Sequence, residues 1–312
     1  MIRIVIYLVS SLIPFALFAD SRSHPVKACH EFLIVPDAVE TVQKHNVTEY
    51  QEGLLWKAEK DGKTNYVLGT IHSQDYSVTR FSPPVRLALV RTRTLLMETI
   101  PDESANEAFF SNMYFADNTR LDELLGAELF AEFRRIALDY GLQEERLAEV
   151  KPWAAFSLIG RPKPVRAASQ EQNLFNLARQ TVSEIKSLES MEEIIASLES
   201  LSLSDQVTIL KDTICNHANI IRDAKELVDL YVARDLAGII AFNNQPHHDE
   251  ALFERFMQAI LYNRNDKVMQ MIEQEFARGN AFVAIGASHL VDERSGILQQ
   301  LAEQGYKLSP VY

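Results

Sequence analysis

The sequence predicts an α/β protein, a central mixed sheet formed by the two ends of the chain, flanked by helices, with a largely helical middle over about residues 121–276. Three observations carry this. Tyr66-Val67-Leu68-Gly69-Thr70-Ile71-His72 and Phe282-Val283-Ala284-Ile285-Gly286-Ala287-Ser288-His289 share one shape, an apolar run that stops at a glycine with a histidine three residues later. Between residues 65 and 100 a strand, a helix and a second strand follow at the spacing of a βαβ unit. The stretch from Leu121 onward carries apolar residues at the helical period.

The elements follow in order. Met1-Ile2-Arg3 supplies one positive charge, residues 4–18 are almost unbroken apolar sequence, and Ala19 precedes Asp20. That is the pattern of a signal peptide over residues 1–19, placing the mature protein in the periplasm or outside the cell. A retained anchor is the alternative, but the apolar stretch is shorter than the roughly 20 residues a spanning helix needs, and Pro14 interrupts it. No later segment is apolar and long enough for a stable membrane span. Residues 20–50 are irregular, and residues 51–312 form a single domain.

Leu54-Leu55-Trp56-Lys57-Ala58-Glu59 and Asn65 to Leu68, joined through Asp61-Gly62-Lys63-Thr64, read as a β-hairpin with a glycine turn. Pro83-Pro84 opens a helix with Val85, Leu87, Ala88 and Val90 apolar beside three arginines. Thr94-Leu95-Leu96-Met97-Glu98-Thr99-Ile100 is a second buried strand, ended by Pro101. Leu129, Phe130, Phe133, Ile136, Ala137 and Tyr140 mark a helix stopped by Gly141. Ser187-Leu188-Glu189-Ser190 reads as a third short strand or a turn. Ile194, Ile195, Leu198 and Leu201 fit an amphipathic helix. After residues 282–285, a helix over about 296–304 and a short terminal strand close the chain.

Composition limits the function. The 312 residues are 47% hydrophobic and carry a formal net charge of −12. That balance disfavours nucleic acid and anionic lipid as partners, since both need a basic surface. Cys29 and Cys215 are not in a C-x-x-C pair, so a cysteine zinc site has no support, and the sequence leaves open whether they pair. Cys215 with His217 sits in a helical pattern and reads as packing. No G-x-S-x-G, Walker or G-x-G-x-x-G motif is present.

The paired motifs hold the candidate site. With 11 Gly and 8 His in the chain, a shuffle supplies roughly 0.3 Gly-x-x-His matches. Gly69 and Gly286 are the turn glycines, and the strand ends they close deliver His72 and His289 to an edge of the sheet. Capping a strand by a backbone hydrogen bond is the plain alternative for each histidine. Glu98 is costly to bury unless paired or metal-bound, and otherwise is a strand-end carboxylate facing water. If the strands before His72 and Glu98 are parallel neighbours, both ends open together. Two imidazoles and a carboxylate are a competent set for a divalent metal, with manganese, cobalt, iron and zinc all admitted. Arg264, on a helix with polar neighbours, reads as a solvated surface arginine. His247-His248-Asp249-Glu250 reads as a solvated loop.

The stretch from Trp56 to the Gly69-Thr70-Ile71-His72 turn, Glu98, Lys151-Pro152-Trp153, Asn263-Arg264-Asn265 and residues 282–290 together make a chain that resembles the TraB/GumN family over about residues 50–312. That family includes the Tiki-type metalloproteases and is related more distantly to ChaN-like and erythromycin-esterase-like proteins. The resemblance implies an active-site set of His72, His289, Glu98 and Arg264. It implies a metal-dependent hydrolase acting on peptide or amide bonds of a peptide or protein substrate, with Glu98 as ligand or general base and Arg264 on the oxyanion or a substrate carboxylate. The alternative is a non-catalytic envelope protein that binds a peptide or haem-like ligand in the same pocket. Two stretches depart from the family pattern: Ser169-Gln170-Glu171 where Gly-Leu-Asp is common, and Ser187-Leu188-Glu189-Ser190 where Gly-Leu-Glu-Thr is common. Both are expected to lie outside the histidine and glutamate set. A solvent-accessible site would tolerate substitution of its four residues without loss of stability.

Overall fold

The structure is a computed structural model and describes residues 26–32, 50–244, 249–292 and 294–312. The expected signal peptide, most of the irregular segment after it, and His247-His248 lie outside the described residues.

Six strands form one mixed sheet: β1 Leu55–Lys60, β2 Lys63–Thr70, β3 Thr94–Met97, β4 Glu184–Ser187, β5 Ala281–Gly286 and β6 Lys307–Pro310, in the order β4-β3-β5-β2-β1-β6. β1 and β2 are the expected hairpin, and β6 lies antiparallel on β1. Asp61 (φ 51) and Gly62 (φ 73) both take left-handed backbone, the geometry that matches a two-residue turn to strand twist. β2, β5, β3 and β4 are parallel. The α/β class and the meeting of both chain ends in one mixed sheet stand as the sequence reads them.

Three details differ. β2 and β3 are not neighbours, because β5 lies between them: Phe282 pairs with Tyr66 on one side and Leu95 on the other. β5 is buried along its whole length, and a strand apolar on both faces belongs in the interior of a parallel sheet. The sheet also takes one strand from the middle of the chain, since β4 forms its edge and, with residues such as Glu184 and Lys186, is only half-buried. The strand through residues 94–100 stops at Met97. Beyond it the main chain bends, with Glu98 N–H donating to Ala284 O at 3.0 Å and Glu189 N–H donating to Glu98 O at 3.1 Å.

Two apolar clusters stabilise the molecule. One packs the sheet against Ala224, Leu227, Ile272 and Phe276 of the long helices. The other is wholly helical and centres on Phe133, Trp153, Phe156 and Phe256. The helix Pro152–Ile159 is buried on every side, as an all-apolar helix must be. Cys29 and Cys215 form a disulfide with 5.3 Å between Cα atoms, which ties the described N-terminal residues to this helical cluster. Among the described residues, no helix is long and apolar enough to cross a membrane.

Candidate functional site

The register of the parallel strands fixes where the site lies. Gly69 pairs with Ile285 and Thr70 with Gly286, so the two glycine turns come level. Met97 pairs with Ala284, which puts Glu98 at the same height on the other side of β5. Gly69 is required for packing: a Cβ there would sit 2.7 Å from Leu290 Cδ1 and 3.1 Å from Ala287. Gly286 has another role. A Cβ on it would meet the His289 ring at 3.4 Å, Glu98 Oε2 at 3.5 Å and His72 Nε2 at 4.0 Å. Three side chains from three strand ends therefore converge on the space that this glycine leaves open.

Glu98 is the hub. Its Oε1 lies 2.6 Å from Arg264 Nη2 and 3.8 Å from His289 Nε2, and its Oε2 lies 3.5 Å from His72 Nε2. The Gly286 N–H donates to Oε2 at 3.2 Å. His289 is turned by Asn265, whose Nδ2 donates to His289 O and Ser295 O, leaving Oδ1 to accept from His289 Nδ1. That network assigns the proton to Nδ1 and leaves Nε2 bare toward Glu98. His72 Nδ1 faces Glu171 Oε1 at 3.0 Å. Both imidazoles thus have one nitrogen held by a neighbour and the other turned to one carboxylate.

Arg264 is buried, with 4% of its surface exposed, so the reading of a solvated arginine is overturned. Its helix, Asn263–Phe276, is preceded by a π-turn over Gln258–Tyr262 that loosens the backbone ladder. Arg264 Nη1 donates to Ile260 O in that turn at 2.9 Å. Its Nε and Nη2 donate to Glu189 Oε2 at 2.9 and 2.7 Å, and the guanidinium bridges Glu189 and Glu98.

Both departures from the family pattern therefore enter the site, contrary to expectation. Glu189 follows β4 and Glu171 opens the helix Gln170–Ala178. Gln170 binds this helix to the His72 turn, accepting from Ile71 N–H at 2.9 Å and donating to Val78 O at 2.7 Å. Tyr231 OH joins them by donating to Gly69 O at 2.8 Å. A signal for Glu189 was present in the sequence: Glu189, two residues past the end of β4, echoes Glu98, one residue past the end of β3, an acid just beyond a short strand. Glu171 and Asn265 carried no such signal.

The charges depend on burial and on these pairs. Burial would raise the Glu98 carboxyl, but Arg264 and the two histidines outweigh it and hold Glu98 well below the carboxylate range. Burial raises Glu189 despite Arg264. Burial pushes His289 down to about 3, leaving it neutral. For His72 burial acts downward too, but Glu171 and Glu98 prevail and raise it to about 10.

Among the described residues, no three His, Cys, Asp or Glu side chains are gathered as a metal-binding group. The donor chemistry nevertheless fits a divalent ion, with His72, His289 and Glu98 as the residues to hold it. His72 Nε2 lies 3.5 Å from Glu98 Oε2 and His289 Nε2 lies 3.8 Å from Oε1, the oxygen that also meets Arg264; imidazole nitrogens with a carboxylate are the donor types such an ion takes. Cavities open around the cluster, one of about 120 Å³ bounded by Leu227, Ile239, Met257 and Leu261, another of about 490 Å³ beyond His72.

A family model described as the TraB/PrgY/gumN family matches residues 54–310. No curated protein and no solved structure matches the chain.

Proposed function

For this chain, which belongs to the TraB/PrgY/gumN family, we propose an exported metal-dependent hydrolase acting on peptide or amide bonds. The observation that supports it is the convergence of His72, Glu98 and His289 over Gly286, with Arg264 beneath Glu98. His72, His289 and Glu98 would hold the divalent ion, which would supply Lewis-acid polarisation of the scissile carbonyl and a lowered pKa for bound water.

The protein's own residues prepare that chemistry. Asn265 keeps His289 in the tautomer with Nε2 bare. Glu171 orients His72 through Nδ1. Glu98 is held ionised by Arg264, and an ionised group with so low a pKa suits coordination better than taking up a proton at neutral pH. With its nitrogens engaged by Glu98, Glu189 and Ile260 O, Arg264 acts first on Glu98, fixing its charge and position. The apolar walls of the 120 Å³ cavity favour a substrate with an apolar side chain beside the scissile bond.

The second reading, a binding protein without turnover, would use the same cleft. The space beside the cluster, about 120 Å³, is below the roughly 300–1,000 Å³ of ordinary ligand pockets, so a haem-like ligand would have to occupy the cavity of about 490 Å³ that begins at His72. Metal analysis of the purified mature protein, followed by a peptide-library digest with and without chelator, tests the proposal. Bound metal and chelator-sensitive cleavage are expected, with His72→Ala and His289→Ala each losing both. Metal binding without any cleavage would give the binding protein precedence, and neither metal nor cleavage would remove the hydrolase reading.

A further inference from the structure

His72 stands at a junction, since the cavity of about 490 Å³ begins at its ring and runs away from Glu98. The chain carries a net charge of −12, yet the wall of this cavity bears Arg161, Lys163 and Lys225. Among the described residues that line it, Asp75 is the acid: its Oδ1 caps the helix Tyr76–Thr79, accepting from Ser77 N–H and Oγ at 2.8 and 2.6 Å, and its charge partly offsets that of Lys225, leaving the cations in excess. Lys163 and Lys225 pair outward with Asp139 and Asp229 in exposed contacts. Such pairs exchange readily with water and leave both ammonium groups available to a ligand.

Two further features suit a peptide. Tyr76 and Val165, exposed by 71% and 55%, both line the cavity and make an apolar lip at its mouth. Arg161 is half-buried at the end of the helix Pro152–Ile159, and Tyr140 OH donates to its carbonyl, so the backbone that carries it is fixed. Burial brings the guanidinium down to about 10, and it remains charged at neutral pH.

We propose that this cavity receives a carboxylate of the substrate, with Arg161 as the specificity-determining residue and Lys163 and Lys225 drawing the anion in. A planar guanidinium suits a carboxylate, and two ammonium groups lining the same cavity add positive charge. The carboxylate belongs either to the substrate's C-terminus or to an acidic side chain, and the two share this chemistry. The assignment rests on the hydrolase reading only for its turnover arm, because binding to the cavity is measured separately.

The test uses the mature protein and one apolar hexapeptide in three forms: free C-terminus, C-terminal amide, and C-terminal amide with one glutamate. Affinity is read by calorimetry and cleavage by mass spectrometry, for wild type, Arg161→Gln, Arg161→Lys and Lys225→Glu. Arg161→Gln is expected to weaken binding of the preferred carboxylate form about tenfold and to leave the neutral amide unchanged. Arg161→Lys should recover part of the loss. Lys225→Glu, on a residue whose side chain is 76% exposed, should weaken the same form without disturbing the fold. Loss on amidation identifies the C-terminus, and rescue of the amide by glutamate identifies a side chain. Equal affinities for all three forms, or equal losses across them in Arg161→Gln, overturn the inference. Arg161-dependent binding without cleavage would keep it and sink the hydrolase reading, whereas Arg161-independent cleavage would do the reverse.

Discussion

Arg264 Nη2 lies 2.6 Å from Glu98 Oε1, and both side chains are buried. The pair joins a helix late in the chain to a strand end 166 residues before it. Burying two charges is favourable only while each has its partners, so this contact is structural as well as electrostatic.

Arg264→Met should therefore destabilise the fold by about 3–5 kcal/mol, because it leaves Glu98 and Glu189 buried without their cation. Urea unfolding followed by circular dichroism measures it. A change within about 0.5 kcal/mol, as a surface substitution gives, would mean that the pair is solvated. The expectation of tolerated substitution is tied to a solvent-accessible site, a condition that Arg264, 4% exposed, does not meet.

Glu98→Gln separates the two roles left open for this carboxylate. Held ionised by Arg264, Glu98 is expected to be a ligand, and the variant should lose metal on dialysis while keeping its fold. Elemental analysis beside a thermal melt decides it. Retained metal with lost turnover would instead make Glu98 the base.

Glu171→Gln should move the His72 titration. With the main upward influence removed, the pKa falls from about 10 by roughly 1 to 3 pH units. Nuclear magnetic resonance of the imidazole protons of metal-free protein reads this directly. Metal affinity should also weaken by about 10–100-fold, as for other partners that orient a ligand.

His217 gives a pH dependence outside the site. Burial pushes it down to about 4 from the usual 6.5, beside Tyr140 OH at 3.0 Å. The unfolded chain therefore binds the proton first, and stability falls as pH drops from about 6.5 to about 4, then levels for this group. The loss is of the order of 1 to 3 kcal/mol. Urea midpoints at pH 4, 5 and 7 should fall less steeply in His217→Phe than in wild type; parallel slopes would assign the acid sensitivity to other groups.

Much of this was legible because it is local. Asp61-Gly62 fixes the first hairpin, since only residues tolerant of positive φ turn there at low cost. The two Gly-x-x-His turns and the acid after β3 were visible because apolar runs and their terminators lie together in sequence. Those signals named His72, Glu98 and His289, and the structure brings them together.

The sequence by itself determined the α/β class, the strands that end at the site and the residue types delivered there, because periodicity and turn chemistry are short-range. Only the tertiary structure decided that β5 enters between β2 and β3, that Arg264 is buried, and that Glu171, Glu189 and Asn265 complete the cluster. The reason is that a charged or amide side chain reads as solvent-facing until a partner appears. Here the partners come from elements 24 to 166 residues away, placed by strand order and helix packing rather than by neighbours in the chain.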